Sequence, residues 1–106
     1  MNDTEFEKLA DATLARVESA LEESGIDADL RLKEGDVLEI EFDDGAKLIV
    51  NRHRPAREIW VAARSGGFHF RWDGVAWLDS RDGGELFAAL SRLVSLHSGQ
   101  QVLLRA

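Results

Sequence analysis

Five carboxylates fall within residues 18–29: Glu18, Glu22, Glu23, Asp27 and Asp29. Glu18 and Glu22 are one helical turn apart, Glu23 stands beside them, and the two aspartates follow just past Gly25. Oxygen ligands of this kind suit hard cations. With no His or Cys among them they bind weakly and with little discrimination. The spacing of an EF-hand loop is absent, so the pattern reads as a cation-attracting ridge rather than a cage.

The same stretch dominates the charge. Residues 1–29 hold nine acids (Asp3, Glu5, Glu7, Asp11, Glu18, Glu22, Glu23, Asp27, Asp29) against two bases, Lys8 and Arg16. The remaining 77 residues carry eleven of each, so the whole net charge of −7 lies in the first quarter. This asymmetry points to a cationic partner or to metal ions, and away from nucleic-acid phosphates. The plain alternative is a solvated acidic helix that only keeps the protein soluble.

Other chemistries have little to stand on. Cysteine is absent, which excludes disulfides, thiolate zinc sites, cysteine-held iron–sulfur clusters and thiol nucleophiles. There is no Tyr, and none of the seven serines sits in a nucleophile-elbow pattern. The histidines are scattered: His53 in a proline loop, His69 on a strand, and His97 at the end of a helix, where it suits the helix C-terminus. Gly66-Gly67 and Gly83-Gly84 match no phosphate-loop pattern and read as turns. Arg52, Arg54 and Arg57 form a small basic cluster without interleaved aromatics, too little for nucleic-acid binding in an acidic protein.

The elements that must position these residues follow from periodicity. Residues 4–23 read as an amphipathic helix with Phe6, Leu9, Ala10, Thr13, Val17, Ala20 and Leu21 on one stripe, capped by Thr4 with Glu7 or by Asp3, and stopped at Gly25. Asp3, Glu7 and Asp11, then Glu18 and Glu22, repeat at i,i+4, where like charges repel by about 0.2–0.5 kcal/mol per pair. From residue 28 the period changes to two. Strands are expected over 37–42 and 47–51, joined by the Asp43-Asp44-Gly45 turn, and over 58–63, 68–72 and 75–78. Asp82 to Glu85 has capping-box spacing and opens a second helix carrying Leu86, Phe87, Leu90, Leu93 and Val94. Residues 101–104 read as a short final strand. The order gives an α+β two-layer sandwich, with two helices on one face of an antiparallel sheet and the other face open to solvent. With 106 residues, 44% apolar and 31% charged, residues 1–106 form a single domain. No run of 18 apolar residues exists, and the acidic start matches neither a signal nor a transit peptide, so a cytoplasmic protein with no membrane partner is expected.

Alternation also marks the open face. If Ile59 and Val61 point at the helices, Trp60 points away from them, sharing its side with Glu39, Glu41, Ile49, Asn51 and Glu58. An outward Trp among such neighbours is a candidate partner anchor, since Trp is enriched in interface hot spots.

The motifs, taken together, resemble a known family. Met1-Asn2-Asp3, Glu5-Phe6 and Leu9-Ala10-Asp11 are followed by residues 45–51 and by Asn51-Arg52 with Pro55 and Ile59-Trp60-Val61-Ala62. Gly66-Gly67-Phe68-His69-Phe70, Trp77, and Gly84-Glu85 with Phe87 complete the set. From end to end the chain resembles the frataxins, most closely their bacterial branch, the CyaY proteins. The resemblance implies a sheet of five to seven antiparallel strands under two helices. It implies an iron-binding regulator of iron–sulfur cluster assembly that meets the cysteine desulfurase and the scaffold protein, with ferrous and ferric iron held weakly on an acidic ridge. It carries the ridge to Glu18, Glu22, Glu23, Asp27 and Asp29, and the sheet-surface pair to Asn51 and Trp60. Ser19, Gly25-Ile26 and Trp72 depart from the family pattern, leaving the ridge slightly poorer in carboxylates.

Two other classes compete. An iron-oxidising or iron-storing enzyme would call for fixed carboxylate–histidine ligation such as Glu-x-x-His, a motif this chain lacks. An acidic interaction module unrelated to iron would show no saturable iron binding. The expected protein is non-catalytic, without organic cofactor, and monomeric apart from iron-induced oligomers.

Overall fold

A computed structural model describes all 106 residues. The elements are α1 (Asp3–Ser24), β1 (Ala28–Lys33), β2 (Val37–Phe42), β3 (Lys47–His53), β4 (Glu58–Ala63), β5 (Gly66–Trp72), β6 (Trp77–Asp79) and α2 (Leu86–Ser98). The strands form one sheet in the order β1-β2-β3-β4-β5-β6, every pairing antiparallel. This is the two-layer α+β arrangement the periodicity predicts, with six strands. No helix is long and apolar enough to cross a membrane.

Helix α1 starts one or two residues earlier than the Asp3 or Thr4–Glu7 caps would place it. Asn2 is the cap: its Oδ1 accepts from Glu5 N at 2.8 Å, and Glu5 Oε1 accepts from Asn2 N at 3.3 Å. Asparagine suits the extended backbone of a cap as well as Asp does, so three consecutive candidates compete, and Asn2 is the one that closes a reciprocal box, with Glu5. Gly25 ends the helix in the left-handed region with φ 72°, as expected. The buried stripe is Phe6, Ala10, Thr13, Leu14, Val17, Ala20 and Leu21. Leu9 sits at its margin, and Leu14 replaces it at the centre. At α2 the cap is Glu85 rather than Asp82. The Glu85 carboxylate accepts from both Phe87 N and Ala88 N, while Asp82 closes its own turn on Gly84 N.

Inward positions of the sheet, among them Leu38, Ile40, Leu48, Val50, Ile59, Val61 and Phe70, are fully buried against Phe6, Val17, Leu21, Leu86 and Leu90. Burying a side chain of this size contributes roughly 1.5–3 kcal/mol. Trp77 Nε1 donates to Thr13 Oγ1 at 2.9 Å, and Thr13 Oγ1 donates to Leu9 O at 2.8 Å, so the one indole inside the core has its polar atom satisfied.

Residues 101–104 are not a strand. Val102 and Leu104 are buried, but their N–H groups donate to Ser95 Oγ (2.9 Å) and Ser91 Oγ (2.8 Å) on α2, with no sheet partner. Alternating apolar residues give the same pattern for a strand and for an extended segment laid along a helix, and here the serines take the backbone donors.

Candidate functional site

The acids of α1 divide into two groups. Near its start, Asp3, Glu7 and Asp11 are taken by the arginine cluster of β3 and the loop after it. Arg52 points to the helix side of the sheet, its side chain only 3% exposed, and donates to Asp11 Oδ1 (2.5 Å) and Gly35 O (2.7 Å), with Glu7 Oε2 at 3.4 Å. Arg54 bridges Glu7 (2.9 Å) and Asp36 (2.7 Å), and Arg57 holds Asp3 (2.9 Å) and Met1 O (2.8 Å). The hydrogen bond from Arg54 holds the Asp36 carboxyl below the usual range. The i,i+4 repulsion expected along this half is therefore cancelled by arginines distant in sequence.

The second half of α1 has no such clamp. Glu18, Glu22, Asp27 and Asp29 make no ion pair, and only Glu23 has one, with Arg16 at 3.2 Å. Glu22 and Glu23 occupy the last turn, which carries no base. The helix macrodipole is negative there and disfavours acids. The register adds two further carboxylates. Ala28 opposes Phe42, so Asp27 comes beside Asp43 at the β2–β3 turn. The proximity of Asp27, more than burial, raises the Asp43 carboxyl above its ordinary value, and Asp29 and Asp44 reinforce the shift. The ridge thus consists of Glu18, Glu22, Glu23, Asp27, Asp29, Asp43 and Asp44. Nothing in the sequence separated Asp43 and Asp44 from an ordinary Asp-Asp-Gly turn; only the pairing of 28 with 42 reveals them. A cavity of about 340 Å³ opens between Asp27, Asp43, Asp44 and His97, whose ring stacks on Phe42 at 5.3 Å. No three His, Cys, Asp or Glu side chains converge closely enough to cage a metal ion. The donor set is all-oxygen and short of cations, which fits loosely held hard cations.

On the open sheet face Trp60 stands where alternation places it, opposite Asn51 on β3 and His69 on β5. His53 and His69 are not the independent loop and surface residues the sequence suggests. Their rings sandwich the indole, with centroids 3.7 Å and 4.3 Å away and planes within 8°. Both faces of Trp60 are covered, so an approaching group meets its edge. Trp60 Nε1 donates to Glu58 Oε1 (2.8 Å), and Arg71 donates to Glu58 Oε2 (3.0 Å). Burial pushes the Glu58 carboxyl upward, but these two hydrogen bonds and the nearby charge outweigh it, and the net shift is downward.

A second buried carboxylate lies on the same face. Glu39 is ringed by Lys33 (2.8 Å), Lys47 (3.4 Å) and Arg31 (3.9 Å). The hydrogen bond from Lys33 holds its carboxyl below the usual value. Beside Trp60 on this face is a hollow of about 290 Å³ lined by Val37, Ile49, Asn51, Ala62, Gly67 and His69.

Comparison with known proteins places this geometry in context. A family model described as the frataxin-like domain matches residues 1–100. The chain is 56% identical over 105 residues to the iron-sulfur cluster assembly protein CyaY of Dechloromonas aromatica, covering 99% of this chain and all of that one. It is 51% identical to the protein of the same name from Herminiimonas arsenicoxydans, covering 99% and 97%. Among solved structures, the frataxin from Psychromonas ingrahamii superposes with a TM-score of 0.92 at 36% identity over the full length of both chains. Trimeric frataxin from Saccharomyces cerevisiae, complexed with ferrous iron, superposes with a TM-score of 0.73 at 26% identity over 86% of each chain.

Proposed function

This chain belongs to the frataxin-like family, in its bacterial CyaY branch, and on that basis we propose that it is a non-catalytic, iron-binding regulator of iron–sulfur cluster assembly. Iron, ferrous or ferric, is held weakly by the ridge of Glu18, Glu22, Glu23, Asp27 and Asp29, extended by Asp43 and Asp44. The ridge also steers a basic partner, the cysteine desulfurase, while Asn51 and Trp60 on the open face meet the scaffold protein. The observation that carries the reading is the division of the acids. Arginines neutralise the start of α1, whereas six of the seven ridge carboxylates keep no cation of their own, at a helix end whose dipole adds to their field.

The test is cluster reconstitution on the scaffold with purified desulfurase, in the presence and absence of the protein and of ferrous iron. The expected result is a change in the rate of cluster formation that grows with iron and disappears when Glu18, Glu22 and Glu23 are replaced by Lys. Unchanged rates would remove the regulatory reading. Oxygen consumption with catalytic iron turnover would instead identify an iron-oxidising enzyme.

A further inference from the structure

The sheet has two edges, and they end differently. At β6 the chain closes its own edge: Asp79 N donates to Gly84 O at 2.7 Å, and Leu78 bridges to Glu85. At β1 nothing does. Beyond the pairing with β2, no hydrogen bond reaches the backbone of residues 28–32. Asp29, Arg31, Leu32 and Lys33 are all exposed. An open strand edge of this kind is a template for another strand.

The charges along this edge are antisymmetric. Counted outward from Leu30, Asp29 and Asp27 lie on one side, and Arg31 and Lys33 lie at the same distances on the other. Turning the strand end for end about Leu30 exchanges every acid with a base. A second copy paired antiparallel, Leu30 to Leu30, therefore sets Asp29 of one protomer opposite the partner's Arg31, and Asp27 opposite the partner's Lys33. A two-fold axis makes each of these contacts twice. Paired residues share a face, so Ala28 meets the partner's Leu32 on the helix side, where Leu32 is otherwise 46% exposed. The same charges fix the register. Sliding one strand by two residues sets Arg31 on Arg31 in one direction and Asp29 on Asp29 in the other, and like charges directly opposite are destabilising.

The neighbours on β2 leave these groups available. Asp29 lies across from Glu41 and has no cation of its own. Arg31 reaches Glu39 only at 3.9 Å, because Lys33 and Lys47 hold that acid more closely, and its side chain stays 57% exposed. Glu34 follows Lys33 in the turn between β1 and β2, beyond the paired strand.

We propose that β1 is a self-association edge, through which two copies of this chain join their sheets into one, with the helices of both on the same side. Charge complementarity of the edge with its own reverse carries the proposal. It does not depend on iron binding or on the partners proposed above. Two ridge carboxylates, Asp27 and Asp29, gain in the dimer the cations that the single chain does not give them. A single six-residue edge is a small interface, so the dimer is weak, with a dissociation constant of about 0.1–1 mM.

The test uses NMR diffusion and amide shifts of the metal-free protein, diluted from about 2 mM to about 20 µM to bracket that constant. The wild type should diffuse more slowly as concentration rises, with shift changes concentrated in residues 28–33, and added salt should weaken the association. Asp29→Lys and Arg31→Glu each set like charges opposite one another in both symmetric pairs. Each alone should associate about tenfold or more weakly than the wild type. An equimolar mixture of the two variants restores opposite charges at every pair and should recover association of wild-type strength. If Arg31→Glu does not fold, Asp29→Lys and the wild-type salt series decide the matter. A wild type that stays monomeric, shift changes centred away from β1, wild-type association of Asp29→Lys alone, or a mixture no stronger than its components overturns the proposal.

Discussion

Arg52 and Asp11 meet at 2.5 Å across 41 residues of sequence, joining the third strand to the first helix. The guanidinium lies under α1 with its side chain almost wholly buried, yet Asp11, Glu7 and Asp36 all retain contact with water. Replacing Arg52 by Ala therefore removes packing and several charge-assisted hydrogen bonds without stranding a fully buried charge. The expected loss is about 2–3 kcal/mol, below the 3–5 kcal/mol typical of a broken buried pair. A urea denaturation midpoint measures it, and a loss under about 0.5 kcal/mol would show that the clamp contributes only at the surface.

Asp43 supplies a prediction of opposite sign. Its carboxyl is raised above the ordinary value by Asp27, so the folded state holds that proton more tightly than the unfolded chain. Ionisation of Asp43 therefore destabilises the fold at neutral pH, and the penalty disappears as pH falls through the raised folded-state value. Asp43→Asn should increase the melting temperature at pH 7 and give no increase at a pH below the carboxylate range. A loss of stability at pH 7 would mean that the Asp43 carboxylate makes a favourable contact.

Glu58 behaves in the reverse manner. Its carboxyl is lowered despite burial because Trp60 and Arg71 hydrogen-bond the ionised form. The stability it supplies is fully present above the unfolded value and is lost as pH falls below it, through the folded value. Glu58→Gln should cost about 1.5–3 kcal/mol at pH 7, the range for hydrogen bonds to a charged group. The variant should also flatten the acid limb of the stability profile. Near-ultraviolet circular dichroism should report the freed indole.

Iron added to the labelled protein should broaden or shift Glu18, Glu22, Glu23, Asp27 and Asp29, together with Asp43 and Asp44. Calcium and manganese should compete, because hard cations share the preference for oxygen. Salt or divalent cations should also raise the melting temperature by screening the same repulsion. Signals concentrated at His53 or His69 would move the metal site to the sheet.

The layer architecture was legible in the sequence because each element shows its period openly: Phe6 to Leu21 at helical spacing, and Leu38, Ile40 and Phe42 at a period of two. The ridge was half legible. Five of its carboxylates cluster within residues 18–29, whereas Asp43 and Asp44 join only through strand pairing. The arginine cluster shows why charge counting alone misleads. Arg52 alternates onto the buried side of β3, and no local signal distinguishes a clamp from a solvated patch. The stacking of His53 and His69 on Trp60 was likewise out of reach, since it depends on the register of three strands. The end of the chain deceived for a different reason: its alternation is genuine, but Ser91 and Ser95 supply the acceptors that a neighbouring strand would have given.

The strand order of the sheet bears on how the molecule assembles. Because neighbours in space are neighbours in the chain from β1 to β6, every pairing closes a loop of only a few residues, at small entropic cost. The contacts that span the sequence are those of α1: Arg52 to Asp11, and Trp77 to Thr13 at a separation of 64. The sheet can therefore zip hairpin by hairpin, and the slow encounter is the arrival of the first helix on a surface made after it. Truncating Phe6 should chiefly accelerate unfolding in a denaturant chevron, whereas truncating Val50 should also slow refolding. In a cell, the segment synthesised first would be the last to find its place.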